Sequence, residues 1–504
     1  MTASKFLWAA TASIAVAGCM SAASSADARD KRKAQNTQPQ SISAADRQEG
    51  AKNHPKLMEQ FGGSYDSPQA AYARRIGQDI AVQSGLGNAR SDFTVTLLNS
   101  PVNNAFAIPG GYVYLTRQLM ALMNDEAEMA GVLGHEVGHV AAQHGRKRQK
   151  TAKRNSILGM LGQIGAAVLL GDSTAGKLGQ RIFGTGSQLL TLSFSRKQEY
   201  EADDLGIRYL QSAGYDPQAL STMLASLAAQ SSIDARVAGR DARSAPEWAS
   251  THPDPARRVN RAAVNARKYT ANGGKRNREV FLRNINGMRY GDDPKQGIVD
   301  GNVFRHPTLR LSFSVPRGFN MQNGSQKISI SGTGGQAEFR GDSYRGDLNK
   351  YVLNAFQKIG QKSQGQQSGQ GLRPGQVQYT RINGLPVAYS TAQTKQGNKW
   401  VDVTVFAYEF SKKSAYHFVT LAPSGQGQMF NSMYGSVRRL STKEANAIKF
   451  RKIRVATVGP RDTIRTLASK MAYDDLKLER FLALNRLRSN DQLRSGQKVK
   501  LVVY

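Results

Sequence analysis

Two histidines and a glutamate stand close together in GVLGHEVGHVAAQHG, residues 131–145. On an α-helix, His135 and His139 project within about 40° of each other, so their imidazoles can share one metal ion. Zinc suits neutral imidazole nitrogens in a tetrahedral site, and a catalytic site keeps one position for water. Glu136 lies about 100° around the helix, where it can accept a proton from that water. This arrangement is typical of metallopeptidases.

A third ligand must come from another part of the chain, and SFSRKQEYEADDLG, residues 193–206, is the best candidate. Glu199 and Asp203 stand four residues apart on a predicted helix, so one carboxylate could bind the metal while the other orients a histidine. Glu201 faces another way and is the weaker choice. His144 points away from the metal face if the first helix continues to it. We expect no role for it in the site.

Three glycines recur along the histidine helix, at positions 131, 134 and 138. A glycine inside a helix costs about 1 kcal/mol relative to alanine, so the sequence tolerates a penalty along one face. Close approach of another backbone element would explain that penalty. The His-Glu-x-x-His pattern alone recurs by chance in unrelated proteins, and the glycines make that alternative less attractive.

The chain carries 69 Lys or Arg against 37 Asp or Glu, a formal net charge of +32. Such a charge favours an anionic partner, whether nucleic acid, lipid head groups or a cell-wall polymer. The N-terminal stretch KFLWAATASIAVAGC is typical of a secretory signal. Export, together with the lack of any nucleic-acid-binding motif in the sequence, argues against a nucleic-acid partner.

The signal ends in VAGC, which resembles the bacterial lipobox. The resemblance implies cleavage before Cys19 and acylation of that residue, the single cysteine of the chain. No disulfide can then form within one chain. Met20 follows, which by the same resemblance implies sorting to the periplasmic face of the outer membrane. The alternative is an ordinary signal cleaved near Ala22 or Ala23.

Changes in composition predict several segments and an α+β fold. A mainly helical domain with a small sheet comes first, then an antiparallel β-rich domain without a chemical motif, then a strand–helix–helix–strand unit. An apolar stretch at 156–171 is too short to span a bilayer and predicts a buried or lid helix, or alternatively shallow membrane contact. The predicted boundaries are a signal at 1–18, a flexible tether at 19–54, a metallopeptidase domain at 55–272, a basic linker at 273–299, the β-rich domain at 300–445 and the terminal unit at 451–504.

Four motifs occur in the order NAFAIPGGYVYLTRQLM, NDEAEMAGVLGHEVGHVAAQHG, SRKQEYEADDLG and THPDPARRV, between about residues 103 and 259. Together they resemble the HtpX-like and CAAX-prenyl-protease-like zinc metallopeptidases, above all the periplasmic β-barrel assembly-enhancing branch. The resemblance implies a zincin-like fold of the gluzincin type and one zinc ion per chain. That branch carries tetratricopeptide repeats after the catalytic domain, and this sequence shows none.

The resemblance also implies roles for individual residues. His135, His139 and Glu199 match the family's zinc ligands and Glu136 its general base. Asp203 matches the supporting carboxylate. The motif THPDPARRV contains His252. This residue matches a histidine of that branch that can approach the metal and hold the enzyme latent. Arg258 or His252 is then a candidate for stabilising the oxyanion of the reaction.

The C-terminal segments TVGPRDTIRTLASKM, LALNRL and LRSGQKVKLV resemble a LysM module. The resemblance implies a βααβ unit that binds the N-acetylglucosamine chains of peptidoglycan. A longer insertion than usual, AYDDLKLER, separates its halves. The module's fold is therefore a firmer expectation than its glycan binding.

The sequence as a whole predicts a lipid-anchored zinc endopeptidase that cleaves misfolded or stalled envelope proteins at the periplasmic face of the outer membrane. Its expected partners are unfolded envelope proteins, the membrane through the lipid, and peptidoglycan through the LysM-like module. The alternative is a non-proteolytic peptidoglycan-binding lipoprotein, a chaperone or scaffold, with a latent or structural metal site.

Overall fold

A computed structural model describes residues 41–148, 194–237, 252, 255–332, 334–363, 372–396 and 399–504. The predicted signal, the lipidation site Cys19, most of the tether and the apolar stretch at 156–171 lie outside these residues. Among the described helices, none combines the length and the apolar character needed to cross a bilayer.

The first folded part contains three helices beside a small mixed sheet. Strand β3 is central, parallel to β1 and antiparallel to β2. Strand β2 therefore lies at an edge of the described sheet. The elements are α1 (Ala44–Gln60), α2 (Pro68–Val82), α3 (Ala89–Asp92), β1 (Thr94–Leu98), β2 (Ala105–Ile108) and β3 (Tyr112–Thr116).

Helices then form the body of the first domain. They are α4 (Arg117–Leu122), α5 (Glu126–Ala141), α6 (Arg196–Ser212), α7 (Ala219–Val237), α8 (Pro255–Ala266) and α9 (Arg278–Ile285). Helix α5 is buried from Glu126 to His139, as a central helix must be. Asp125 begins it by accepting a hydrogen bond from the backbone N–H of Glu128. Ser195 and Gln198 form a capping box at the start of α6.

Helices α5 and α6 touch backbone to backbone, as the glycines of α5 predict. A Cβ built on Gly134 would lie 3.4 Å from the Cα of Gly206, and one built on Gly206 would lie 3.0 Å from the backbone nitrogen of His135. A larger side chain at Gly206 would therefore push the two helices apart.

The middle of the chain is β-rich, as predicted. A seven-stranded antiparallel sheet, in the order β11-β12-β13-β14-β10-β9-β8, buries one apolar face under helix α10 (Leu348–Ser363). Its other face packs on a four-stranded sheet in the order β15-β7-β6-β5. The strands are β4 (Arg289–Tyr290), β5 (Ile298–Asp300), β6 (Val303–His306), β7 (Leu311–Ser314), β8 (Phe319–Asn323), β9 (Ile328–Gly332), β10 (Gly335–Asp342), β11 (Gln378–Ile382), β12 (Leu385–Gln396), β13 (Lys399–Ser411), β14 (Ser414–Pro423) and β15 (Arg438–Arg439).

The C-terminal unit is built on the first domain. Strand β16 pairs with both β17 and β4, so one sheet joins the two. A single apolar core runs from α2, α5 and α7 into this unit, where it includes Ile453, Phe481 and Leu501. The remaining elements are α11 (Asn431–Ser436), α12 (Thr442–Asn446), β16 (Arg451–Thr457), α13 (Ile464–Ser469), α14 (Lys477–Asn485) and β17 (Lys498–Val503).

Buried polar contacts reinforce this junction. Lys500 is fully buried, and its Nζ donates to the carbonyl oxygens of Ala121, Leu122 and Met123 at the end of α4. Arg486, just after α14, pairs with the buried carboxylate of Glu128 on α5. The C-terminal unit thus contacts the helix that carries the two metal-site histidines.

Two expected boundaries differ from the structure. The tether at 19–54 was expected to be flexible throughout, but residues 44–54 belong to helix α1, which packs so closely that a Cβ on Gly50 would collide with the carbonyl oxygen of Pro109. The basic linker at 273–299 is folded into α9, β4 and part of β5. Its basic residues include Arg276, which pairs with Asp125 and Asp216 rather than facing solvent alone.

Replacing Lys500 with Met should lower the free energy of unfolding by about 2 kcal/mol. The substitution keeps an apolar stem but leaves the carbonyl oxygens at the end of α4 without their donor. Lys498→Met is the control, because the ammonium of Lys498 bonds the Thr457 hydroxyl near the surface. It should change stability by less than about 0.5 kcal/mol. Urea unfolding measures both, and equal stability of the two variants would contradict a structural role for the Lys500 contact.

Candidate metal centre

Four ligand side chains converge between helices α5 and α6. One donor atom from each of His135, His139, Glu199 and His252 lies within 4.8 Å of every other, and all four residues are buried. The Nε2 atoms of the two α5 histidines are 3.0 Å apart. The Glu199 carboxylate lies 3.6 Å from His135 Nε2 and 3.5 Å from His139 Nε2. Residues that are sixty positions apart in sequence therefore face a common point.

The spacing of these atoms fits a tetrahedral ion. Ligand atoms about 2.0–2.1 Å from a zinc ion stand roughly 3.3 Å from one another. His252 Nδ1 lies 3.4 Å from His135 Nε2 and 3.1 Å from a Glu199 oxygen, so it occupies the fourth corner. Three imidazoles and one carboxylate form a donor set that zinc accepts.

Asp203 fixes the orientation of His135. Its Oδ1 lies 2.9 Å from His135 Nδ1, which leaves the Nε2 lone pair directed at the ligand cluster. Burial acts to raise the pKa of Asp203, but Arg258 and the hydrogen bond with His135 outweigh it and hold the pKa well below its ordinary value. Asp203 thus remains an ionised acceptor for the histidine.

Arg258 contacts two carboxylates of helix α6. Its guanidinium donates to both Asp203 oxygens, at 2.6 and 2.9 Å, and lies 2.5 Å from a Glu199 oxygen. The side chain is buried, with 1% exposed. Because its charge is directed at these two carboxylates, Arg258 supports the ligand shell. Its expected role as an oxyanion donor stays a prediction.

His144 was expected to point away from the metal face, and that expectation was wrong. Helix α5 ends at Ala141, and Gln143 adopts a left-handed φ of 54°, which turns the chain back. His144 is fully buried, and its Nδ1 lies 2.9 Å from His139 Nδ1. The left-handed residue is a glutamine and not a glycine, so the sequence carries no clear stop signal at the turn. Glu201, the weaker candidate for a ligand, instead contacts His144 Nε2 at 3.2 Å.

His252 reaches across the site from the segment before α8. Its Nε2 lies 3.3 Å from the carbonyl oxygen of Ala105 on edge strand β2 and 3.5 Å from Glu136 Oε1. Burial acts to lower the pKa of His252, but the charges of Glu199 and Glu136 outweigh it, so the pKa is raised. His252 thus touches a ligand, the predicted base and the edge strand at once.

The pKa values of Glu136 and Glu199 are shifted in opposite directions. Burial raises the pKa of Glu136, and the charges of His252 and His135 oppose it only in part. Burial acts in the same direction on Glu199, but His252 and Arg258 outweigh it and lower its pKa. Oε2 of Glu136 is buried and makes no hydrogen bond within the described part of the chain. Glu199 is therefore suited to bind a cation and Glu136 to accept a proton.

Comparisons with known proteins agree with this geometry. Residues 67–265 match Peptidase family M48, and residues 456–502 match the LysM domain. The M48 match includes all four ligand residues and Glu136. The family is zinc-dependent.

Several curated relatives align with part of the chain. The chain is 33% identical over 203 residues to the β-barrel assembly-enhancing protease of Yersinia pestis, covering 40% of each chain. It is 29% identical to the mitochondrial metalloendopeptidase OMA1 of Schizosaccharomyces pombe, covering 41% of this chain and 56% of that one. The metalloprotease LoiP of Escherichia coli is 31% identical, over 31% of this chain and 60% of its own.

The aligned region spans less than half the length of the β-barrel assembly-enhancing proteases. The M48 match at residues 67–265 contains the ligand cluster and the helices that carry it, whereas the β-rich domain lies outside that match. The family resemblance predicted from the motifs is thus confirmed for the first domain and for the C-terminal unit. The chain is thus similar to Peptidase family M48 over residues 67–265 and to the LysM domain over residues 456–502.

Proposed function

We propose that this protein is a zinc-dependent endopeptidase that acts on misfolded or stalled proteins of the cell envelope. The observation that carries the proposal is the convergence of His135, His139 and Glu199 on one point, with Glu136 beside them, inside an M48 domain. A zinc ion held there supplies Lewis-acid chemistry that activates water and polarises a peptide carbonyl.

Glu136 is the residue that moves protons in this proposal. Its carboxylate is 1% exposed, and burial raises its pKa, which makes it a stronger proton acceptor than an exposed glutamate. It would take a proton from the attacking water and pass it to the leaving amide nitrogen. Asp203 and Arg258 stay ionised and keep the ligands in place.

Edge strand β2 supports the binding of an extended substrate. It pairs with β3 on one side, and the carbonyl oxygen of Ala105 on the other side is contacted by His252. An unfolded segment could add to this edge by main-chain hydrogen bonds, which require no particular side-chain sequence. This mode suits a peptidase for unfolded chains.

His252 makes the described state a latent one in this proposal. Its Nδ1 takes the fourth corner of the ligand tetrahedron, which a catalytic site reserves for water. Its Nε2 contacts Ala105, where the substrate backbone would lie. Withdrawal of one side chain would free both positions.

The cell envelope is the proposed location. The LysM match supports contact with peptidoglycan, and the names of the relatives support a role in envelope protein quality control. A lipid on Cys19 would place the enzyme at the periplasmic face of the outer membrane. The net charge of +32 favours retention near anionic polymers and lipids.

Protein lacking the first 18 residues should degrade casein, an unfolded substrate, and should stop when a zinc chelator is added. Glu136→Gln should reduce the rate by about 10²–10⁴-fold, because the base is lost. It should retain its zinc, because Glu136 is not a ligand. Cleavage measured by fluorescent casein and zinc measured by atomic emission give the two readouts.

Glu279→Gln is the matched control, because Glu279 lies on the exposed surface of α9. It should cleave at the wild-type rate. A zinc-loaded wild type without activity, even when His252 is replaced, would instead favour the non-proteolytic scaffold.

His252→Ala should raise the rate of casein cleavage several-fold, since it vacates the fourth corner and the edge strand together. The zinc content should stay near one per chain, because three ligands remain. Arg257→Ala, an exposed change near the same segment, should leave the rate unchanged. A slower His252→Ala enzyme with full zinc would show that His252 assists the reaction rather than blocking it.

A further inference from the structure

Two further side chains, His144 and Glu201, are connected to His139 through hydrogen bonds. The proposed reaction uses neither of them. His139 Nδ1 lies 2.9 Å from His144 Nδ1, and His144 Nε2 lies 3.2 Å from a Glu201 carboxylate oxygen. His144 is fully buried, whereas the Glu201 side chain is 47% exposed. This series of hydrogen-bonded side chains therefore runs from the metal site to the surface.

The chemistry of these groups fixes which atom donates each hydrogen bond in this series. An ionised carboxylate only accepts hydrogen bonds, so the contact with Glu201 places the hydrogen of a neutral His144 on Nε2. Nδ1 of His144 is then an acceptor, and the hydrogen between the two rings must belong to Nδ1 of His139. That tautomer leaves the lone pair of His139 Nε2 for a metal ion.

The surrounding residues fix the positions of both rings. Phe194 stacks on His139 with centroids 3.9 Å apart and planes 18° apart. Gln198 donates to the backbone carbonyl of His144 at 3.4 Å. The left-handed turn at Gln143 brings His144 under His139.

Helix α6 thereby serves each histidine of α5 differently. Asp203 contacts His135 directly, at 2.9 Å. Glu201, on another side of the same helix, reaches His139 through His144. Glu199 lies between them as the ligand. One helix would thus supply the third ligand and orient the other two.

We propose that His144 and Glu201 are positioning residues that hold His139 in its metal-binding tautomer and orientation. This inference rests on the metal site of the proposed function and names two residues that act through a ligand. Loss of such outer contacts typically weakens metal binding 10–100-fold.

The test is the zinc affinity of the full chain without its signal, measured by competition with a chromogenic chelator. His144→Phe keeps a buried ring but removes the acceptor, and should weaken zinc binding 10–100-fold. Glu201→Ala should weaken it in the same direction by a smaller factor. Glu201→Gln should bind nearly as the wild type does, because its amide oxygen can still accept from His144 Nε2.

Two further measurements separate positioning from general stability. The visible spectrum of the cobalt-substituted protein should change in His144→Phe, because the ligand field at His139 changes. The unfolding temperature of the metal-free protein should stay within a few degrees for Glu201→Ala, as for the control Arg208→Ala at another exposed position of α6. If His144→Phe does not fold, the zinc affinities of Glu201→Ala and Glu201→Gln still test the inference.

Wild-type zinc affinity in both His144→Phe and Glu201→Ala would overturn the inference. So would an equal loss of affinity in Glu201→Ala and Glu201→Gln, because the accepting oxygen would then be irrelevant. Failure of the peptidase proposal looks different. In that case the variants lose zinc as expected, but the zinc-loaded wild type and His252→Ala both leave casein intact.

Discussion

The close contact between helices α5 and α6 is the constraint on which the centre depends. At Gly134 and Gly206 the two backbones meet with no side chain between them. That approach brings a carboxylate of α6 to 3.5–3.6 Å from both histidines of α5. A Cβ at Gly206 would press on the backbone of His135 itself, so the space between the helices and the geometry of the ligands are set together.

Burying this many ionisable groups requires each to have a partner. Arg258 is 1% exposed and would be costly to bury alone, but it lies between Asp203 and Glu199. Those carboxylates in turn face the imidazoles that need orientation. Removing one member would leave a buried charge without compensation. The C-terminal unit is connected to the helix that carries the histidines, because Arg486 pairs with Glu128 near the start of that helix.

The sequence predicted the elements whose chemistry is local. His135 and His139 share a face by helical spacing alone. The glycines of α5 predicted the close approach of another backbone element, which in the structure is α6. The position of a residue that follows the end of a helix could not be predicted in the same way. Extending α5 by three residues sent His144 to the wrong side, since one left-handed residue at Gln143 reverses the chain. The contacts of Arg258 with two carboxylates were not predicted, because those partners lie on another helix, beyond the reach of any spacing rule.

The most direct test of the account is the zinc content of purified protein. After loading with zinc and removal of excess ion, atomic emission should give one zinc per chain for the wild type and for Glu279→Ala. Glu199→Ala should retain far less, because the site loses its one anionic ligand and the positive charge of Arg258, then paired with Asp203 alone, stays beside three neutral imidazoles. Equal zinc in the wild type and Glu199→Ala would contradict a shared ion between α5 and α6, and so would a wild type that binds none.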